Sequence, residues 1–285
     1  MYTGTRFCEF VVSLWQRDVG PPPNSKVSGV TAPGGTPSDA APGLQQDGAM
    51  STSVTIPTDA GDMPAHLWLP HSGQGPGIVL LQEIFGVSSY VQRRGEQLAE
   101  LGYVVVAPEI FWRLGVSAPI EGEEALQQGM GLVQRLDWDA AVRDGSASVR
   151  WLRGHDAVDA GVGVVGFCFG GGLGFNVAAQ LESEGQTPVE ALVSYYGSAL
   201  PELHPVMTVS APSLHHFGLA DSFIDTATVR AVEESLTKQP GTVFETYEGA
   251  DHAFDNDDMP LHDAGASALA WSTTVPFLRE HLPVT

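Results

Sequence analysis

Short apolar runs alternate along the chain with longer segments whose apolar residues recur at helical spacing. Continuous apolar runs predict buried strands, and alternating apolar and polar residues near the beginning predict an antiparallel pair. The predicted strands are 51–57, 63–70, 77–82, 103–107, 162–165, 191–195, 212–217 and 242–247. The predicted helices are 89–101, a region from 123 to 153 broken near Gly129 and Gly131, the segment after the fifth strand, 226–237 and 264–281. The pattern predicts an α/β fold with a mostly parallel central sheet flanked by helices on both faces.

The beginning of the chain differs in composition from the rest. Residues 21–48 are rich in Pro, Gly, Ser and Ala and show no hydrophobic periodicity. Such a segment buries too little apolar surface to offset its ordering entropy, so we expect residues 1–49 to be a disordered extension. The chain has 285 residues, of which 43% are hydrophobic. Residues 50–285 are therefore enough to form the core of one large domain.

Charge and cysteine content narrow the function classes. With 34 acidic and 13 basic residues the formal net charge is −21, which argues against binding to nucleic acid or anionic membranes. No apolar run approaches the length of a transmembrane helix. The two cysteines, Cys8 and Cys168, form no disulfide framework if Cys168 is catalytic. A working thiol fits a reducing cytoplasm, and we expect a monomer or weak dimer there.

One stretch, residues 161–172, carries the main chemical signal with the sequence GVGVVGFCFGGG. A β-branched run, a glycine-flanked Cys168 and a small-residue helical segment follow one another. This order is typical of the nucleophile elbow, G-x-S-x-G, with cysteine in place of serine. Free cysteines are often buried structural residues, but the strand, glycines and helix favour a nucleophile. A helix N-terminus at Cys168 also favours the thiolate.

An acid and a histidine follow later strands of the predicted sheet. Asp221 comes after one strand and His252 after the next, giving the order nucleophile, acid, histidine. The imidazole can take the thiol proton and the carboxylate can hold its tautomer. The backbone amides of Phe169 and Ile84 are the predicted donors to the oxyanion that forms on carbonyl attack.

Other residues have competing interpretations. Asp225 is the reserve candidate for the acid, whereas Asp251 is misplaced for that role. His215 and His216 lie within a strand and suit a structural role, and no second ligand cluster accompanies them to suggest a metal. Glu83 ends a central strand, where it is either close to the nucleophile or a cap on the following helix.

At these residues the chain resembles the dienelactone hydrolase family over about residues 51–283. The matching segments are QEIFG at 82–86, GYVVVAPEIF, GFCFGG around Cys168, YYG at 195–197, the Asp221 loop and GADHAF around His252. The resemblance implies a single-domain α/β-hydrolase that hydrolyses an enol-lactone without metal or organic cofactor. It implies a triad of Cys168, His252 and Asp221, with Glu83 paired to the resting thiol and then helping to generate the thiolate. Phe85 and Tyr196 match aromatic positions that line the family's pocket.

Two departures from the family pattern concern substrate charge. The best-studied members bind the substrate carboxylate with two arginines, and this chain has Leu126 and Asn256 at those positions. Met130 also replaces a pocket tyrosine, while Arg113 and Arg135 are candidate substitutes for the lost cations. The leading hypothesis is a cysteine-dependent hydrolase of a small ester or lactone. The alternatives are a hydrolase of a neutral ester, lactone or thioester, and a non-catalytic binding or thiol-sensing protein on the same fold.

Overall fold

A computed structural model describes residues 51–285, so the predicted disordered extension, residues 1–49, lies outside the described residues. Eight strands form one sheet in the order β1-β2-β4-β3-β5-β6-β7-β8. They are β1 Thr52–Thr58, β2 Gly61–Trp68, β3 Gly75–Leu81, β4 Val104–Pro108, β5 Val158–Phe167, β6 Leu192–Tyr195, β7 Ser213–Gly218 and β8 Thr242–Tyr247. The strand pairs β1–β2 and β2–β4 are antiparallel, and all others are parallel.

Helices cover both faces of this sheet. They are α1 Ser89–Glu100, α2 Ala125–Arg135, α3 Trp138–Arg153, α4 Phe169–Ser183, α5 Leu200–Leu203, α6 Thr226–Leu236 and α7 Ala264–His281, with a 3₁₀ helix at Ile110–Leu114. Buried side chains of α1 and α7 join one apolar cluster, and those of α3 and α4 join a second. Two clusters separated by a mostly parallel sheet confirm the predicted α/β architecture. Within residues 51–285, no helix has the length and apolar character needed to span a bilayer.

The register of the sheet brings distant parts of the sequence together. Leu81, the last residue of β3, pairs with Gly166 in β5, so the segments that follow these two strands are neighbours. The pairing continues through Phe167 with Tyr195 and through Gly218 with Tyr247. The carboxyl ends of β3, β5, β6, β7 and β8 therefore lie at one edge of the sheet, where such folds bind their ligands.

The helical region from 123 to 153 is interrupted at a different place from the one predicted. The break separates α2 from α3 at Leu136 and Asp137, so the prediction of a break near Gly129 and Gly131 was wrong. Asp137 accepts a hydrogen bond from the Ala140 amide at 3.0 Å and caps α3. Gly129 lies inside α2, where a Cβ would come within 2.7 Å of the Ile84 carbonyl oxygen. This glycine therefore permits close packing and does not interrupt the helix.

Candidate active site

Cys168 occupies a sharp turn between β5 and α4. Its backbone has φ 53° and ψ −116°, a left-handed conformation that is costly for a residue with a Cβ. The surrounding backbone holds this conformation in place. The Cys168 N–H donates to the Tyr195 carbonyl at 3.0 Å, and the Cys168 carbonyl accepts from Gly171 and Ser198 at 3.0 and 3.1 Å. The turn leaves the cysteine half-buried at the carboxyl edge of the sheet.

The glycines on either side of Cys168 are required by close backbone contacts. A Cβ on Gly166 would lie 2.2 Å from the carbonyl oxygen of Gly170, and one on Gly170 would lie 2.3 Å from that of Leu81. Neither backbone contact can be relieved by a rotamer change. The G-x-C-x-G pattern in the sequence therefore reflects a tight turn packed against β3.

Three side chains from three strand ends form a continuous hydrogen-bonded chain. The Cys168 Sγ lies 3.2 Å from Nε2 of His252, and Nδ1 of His252 lies 2.8 Å from Oδ2 of Asp221. His252 and Asp221 are both buried. Burial by itself would lower the pKa of His252, but the negative charges of Asp221 and Cys168 raise that pKa well above its usual value. The arrangement favours the charged imidazolium form of His252.

The two loops that carry Asp221 and His252 are tied together by Asp251. Oδ1 of Asp251 accepts hydrogen bonds from the amides of Ser222 at 2.7 Å and His252 at 2.6 Å. The other oxygen of Asp221, Oδ1, accepts from the backbone amides of Phe223 and Ile224, which fixes the carboxylate plane. Sequence order alone assigned Asp251 no part in the site, yet it connects both loops.

The reserve acid, Asp225, has a structural role instead. Its carboxylate accepts from the Thr228 amide at 2.8 Å and caps α6. His215 and His216 lie in β7, within a strand as predicted, and both side chains are buried. His216 contacts the hydroxyls of Tyr247 and Thr274 on the face of the sheet that α7 covers. Within residues 51–285, no cluster of three or more acidic, histidine or cysteine side chains has the arrangement needed to hold a metal ion.

Glu83 is buried beside this group and makes two side-chain hydrogen bonds. Its Oε2 accepts from the Asn256 amide nitrogen at 2.6 Å, and its Oε1 accepts from the Tyr196 hydroxyl at 3.3 Å. Burial raises the pKa of Glu83 to about 7, partly opposed by the Asn256 hydrogen bond and by the charge of His252. No hydrogen bond joins Glu83 to the Cys168 thiol in the described part of the chain, and the thiol's partner is His252.

The predicted oxyanion donors and pocket residues lie in the segments that follow β3, β5 and β6. Ile84 directly follows Glu83 after β3, and Phe169 is the first residue of α4. Among the described residues, the backbone N–H of neither Ile84 nor Phe169 has a protein acceptor, so both remain available to a ligand. Tyr196 is buried with its ring centroid 5.1 Å from that of His252, and Phe85 is partly buried against the core.

The arginines proposed to replace the lost cations are occupied elsewhere. Arg113 forms ion pairs with Asp144 and Asp59, and the Arg135 side chain donates to the Gly131 carbonyl of its own helix. Within residues 51–285, no hydrogen bond or ion pair joins an arginine or lysine to Cys168 or Glu83. Leu126 and Met130 lie on α2, the first partly exposed and the second buried.

A buried ion pair that sequence reasoning missed anchors the histidine loop. Asp255 lies between His252 and Asn256 and accepts from both Nε and Nη2 of Arg94, at 3.0 and 2.6 Å. The hydroxyls of Tyr90 and Ser267 complete its shell. Four donors on one buried carboxylate hold this loop against α1. The partners are far apart in sequence, so no local pattern could have revealed them.

Replacing Arg94 with Met is expected to lower the free energy of unfolding by about 3–5 kcal/mol, because Asp255 would be left buried without its counter-ion. Urea unfolding measures this loss. Arg93→Met is the matched control on the same helix, since Arg93 pairs with Asp257 and Asp258 at the surface and is expected to contribute at most about 1 kcal/mol. Equal losses in the two variants would contradict the anchoring role of Arg94.

Comparison with known proteins places the chain in a family. The sequence model of the dienelactone hydrolase family matches residues 63–282. A carboxymethylenebutenolidase of Pseudomonas putida is 32% identical over 212 residues, which cover 73% of this chain and 87% of that protein. A second one, from Pseudomonas sp. strain P51, is 29% identical and covers 79% of this chain and 92% of its own length.

Solved structures share the fold. A putative dienelactone hydrolase from Klebsiella pneumoniae superposes with a TM-score of 0.67 at 22% identity, covering 81% of this chain and 98% of that one. The dienelactone hydrolase-like promiscuous phosphotriesterase P91, from metagenomic libraries, gives a TM-score of 0.66 at 22% identity, with 82% and 98% covered. Since the family match extends over most of the described residues, this chain belongs to the dienelactone hydrolase family and is a carboxylic ester hydrolase.

Proposed function

We propose that the protein hydrolyses a small ester or lactone through an acyl-thioester on Cys168. The observation that carries this proposal is the contact chain of Cys168, His252 and Asp221, with distances of 3.2 and 2.8 Å at the carboxyl edge of the sheet. The reaction draws on protein groups alone and needs neither metal nor organic cofactor. Dependence on a free thiol fits a reducing compartment such as the cytoplasm.

The first half-reaction acylates the cysteine. His252 takes the thiol proton at Nε2, and the Sγ lone pair attacks the carbonyl carbon to form a tetrahedral oxyanion. The free N–H groups of Ile84 and Phe169 donate to that oxyanion. Collapse of the intermediate breaks the ester C–O bond, and the imidazolium gives its proton to the leaving oxygen. Asp221 stabilises the imidazolium throughout.

The second half-reaction releases the acid. A water molecule gives its proton to neutral His252 and attacks the thioester carbonyl, and the same amides stabilise the second oxyanion. The C–S bond then breaks, and the thiolate regains the proton from the imidazolium. Acid product leaves, and the enzyme returns to its starting state.

Glu83 is proposed to assist thiolate formation through His252. A positive charge on His252 favours the ionised form of Glu83, and by reciprocity ionised Glu83 favours the imidazolium. Because the imidazolium is formed when the thiol loses its proton, ionised Glu83 favours the Cys168 thiolate without touching the sulfur. Direct pairing of Glu83 with the resting thiol, which the family resemblance implies, is not needed for this effect.

A neutral substrate is the second candidate, and the ion pairs of the arginines favour it. Arg113 is held by Asp144 and Asp59, and Asn256 provides an uncharged amide where the family resemblance implies a cation. A carboxylate entering this acidic protein would gain no charge-assisted hydrogen bond from Arg113, whose guanidinium is already paired. A neutral ester, lactone or thioester loses nothing by this change.

A substrate panel tests both proposals. We expect kcat/KM for neutral nitrophenyl esters and thioesters to exceed that for a carboxylate-bearing dienelactone by at least about tenfold, since a missing charged hydrogen bond costs about 1.5–3 kcal/mol. Faster turnover of the dienelactone would contradict the neutral-substrate proposal while leaving hydrolysis intact. If the folded protein turns over none of them but its thiol reacts with alkylating agents, a binding or thiol-sensing role replaces hydrolysis.

A further inference from the structure

The amide of Asn256 has a fixed orientation. Asn256 is buried, and its Oδ1 accepts a hydrogen bond from the backbone N–H of Asp258 at 2.9 Å. A backbone N–H can only donate, so the oxygen of the amide must face Asp258 and the nitrogen must face Glu83. Oε2 of Glu83, 2.6 Å from that nitrogen, is therefore always an acceptor. If Oε2 were protonated, its O–H would face the N–H of Asn256, and two donors cannot form a hydrogen bond with each other.

The second oxygen of Glu83 has a more permissive partner. Oε1 lies 3.3 Å from the Tyr196 hydroxyl, which is able to donate or to accept. When Glu83 binds a proton, an O–H bond forms at Oε1 and the Tyr196 hydroxyl turns from donor to acceptor. Burial raises the pKa of Tyr196 well above its usual value, so that hydroxyl stays protonated. Glu83 thus gains and loses its proton at one oxygen only.

Titratable and charged groups act on Glu83 from several neighbouring elements of the described chain. The groups that act on it from the neighbouring elements are His252 and Asp255 in the loop after β8, Tyr196 after β6 and Tyr90 on α1. The negative charge of Asp255 is paired with Arg94. Neither His252 nor Asn256 holds Glu83 permanently ionised, since the first is itself titratable and the second carries no charge.

We infer that Asn256 is a positioning residue, which holds Glu83 through Oε2 so that the carboxyl gains and loses its proton at Oε1 alone. A guanidinium at this position would keep Glu83 ionised at all working pH values. With the amide of Asn256 at this position, Glu83 ionises as pH rises through neutrality, and only its ionised form stabilises the Cys168 thiolate. The inference deepens the proposed function and rests on it, because it concerns the same thiol and histidine.

The test compares Asn256→Asp with Asn176→Asp by two readouts. One is kcat/KM for a neutral nitrophenyl ester against pH, and the other is the ultraviolet absorbance of the thiolate against pH, which needs no turnover. Asn256→Asp keeps the acceptor for Asp258 and places a second carboxylate on Oε2. We expect this variant to raise, by about one unit or more, the pH at which kcat/KM and the thiolate absorbance reach half of their maximum on the acid side. Activity at pH 7 then falls about tenfold and returns at higher pH.

Asn176 provides the matched control, because it is also a buried asparagine and its Oδ1 accepts from the Trp138 indole, far along α4 from Cys168. Asn176→Asp is expected to leave both midpoints unchanged. Combining Asn256→Asp with Glu83→Gln is expected to abolish the shift, because only one carboxyl then remains and the repulsion between two carboxylates is lost.

A uniform loss of activity at every pH in Asn256→Asp, with no change in the thiolate midpoint, would overturn the inference and leave a structural role. If the wild-type protein hydrolyses no ester, the proposed function fails on its own, and the thiolate titration still decides about Asn256. A shifted midpoint then supports positioning, and an unshifted one contradicts it.

Discussion

Replacement of Cys168 by Ala is expected to lower kcat/KM for every ester that the protein hydrolyses by at least about a thousandfold. Without the sulfur no acyl-enzyme can form, and the remaining oxyanion donors and His252 give only a residual rate, as in hydrolases stripped of their nucleophile. The measurement is steady-state turnover, together with mass spectrometry of the protein after rapid quenching. The wild type is expected to carry the acyl group on Cys168, and the variant none.

The second cysteine of the chain offers a control for this experiment. Cys8→Ala is expected to retain wild-type turnover and acylation. Cys168→Ser keeps a nucleophilic atom in the strained turn, but its hydroxyl ionises far less readily than a thiol, so we expect a rate between those of wild type and Cys168→Ala. Undiminished hydrolysis by Cys168→Ala would rule out the acyl-thioester route and indicate direct attack by water.

Replacement of Glu83 by Gln is expected to raise the free energy of unfolding, relative to that of wild type, more at alkaline pH than at acid pH. The folded pKa of Glu83 is raised from 4.5 to about 7, so the folded state binds the proton more tightly than the unfolded state does. Between these two values the free energy of unfolding of the wild type falls as pH rises. At about 1.4 kcal/mol for each pH unit, ionised Glu83 costs the folded state about 3 kcal/mol above pH 7.

Urea unfolding at pH 5 and pH 8 checks this expectation. The difference in stability between Glu83→Gln and wild type should become more favourable to the variant by about 2.5 kcal/mol from the lower to the higher pH. Glu234→Gln, which removes an exposed carboxylate from α6, should show no such trend. A constant difference for Glu83→Gln would mean that Glu83 is not protonated in the folded state at pH 5. Loss of turnover together with gained stability would identify Glu83 as a residue retained for function.

The sheet and the gathering of candidate residues at its edge were predictable because both follow from local patterns. Apolar runs mark the strands, and parallel strands end at a common edge, so residues after successive strands become neighbours. Cys168 follows β5 directly, Asp221 and His252 lie in the loops after β7 and β8, and the structure brings the three into contact. The glycines around Cys168 were informative because the G-x-C-x-G pattern is local in the sequence, although Gly170 is required by a carbonyl of β3.

Contacts between remote side chains were not predictable from the sequence. Arg94 and Asp255 are 161 positions apart, and Glu83 and Asn256 are 173 apart, so no periodicity relates them. The sequence indicated only that position 256 carries no cationic side chain, and not that the amide of Asn256 binds Glu83. Asp251 is misplaced for the role of the acid because it lies next to His252 in the chain. Its carboxylate instead bridges the loops that carry Asp221 and His252. The low helix propensity of glycine predicts a break at Gly129 and Gly131, whereas the boundary lies at Asp137, whose side chain caps α3.

The anchoring of Asp255 has a consequence for exchanging parts between relatives. His252 and Asn256 lie on either side of Asp255, and all three belong to a segment secured by Arg94 from α1. A chimaera that imports the segment from another family member, to change substrate preference, would therefore need the matching residue of α1 as well. If α1 and this segment are exchanged together, the ion pair between Arg94 and Asp255 is kept. If only one of them is exchanged, a buried charge is left without its partner.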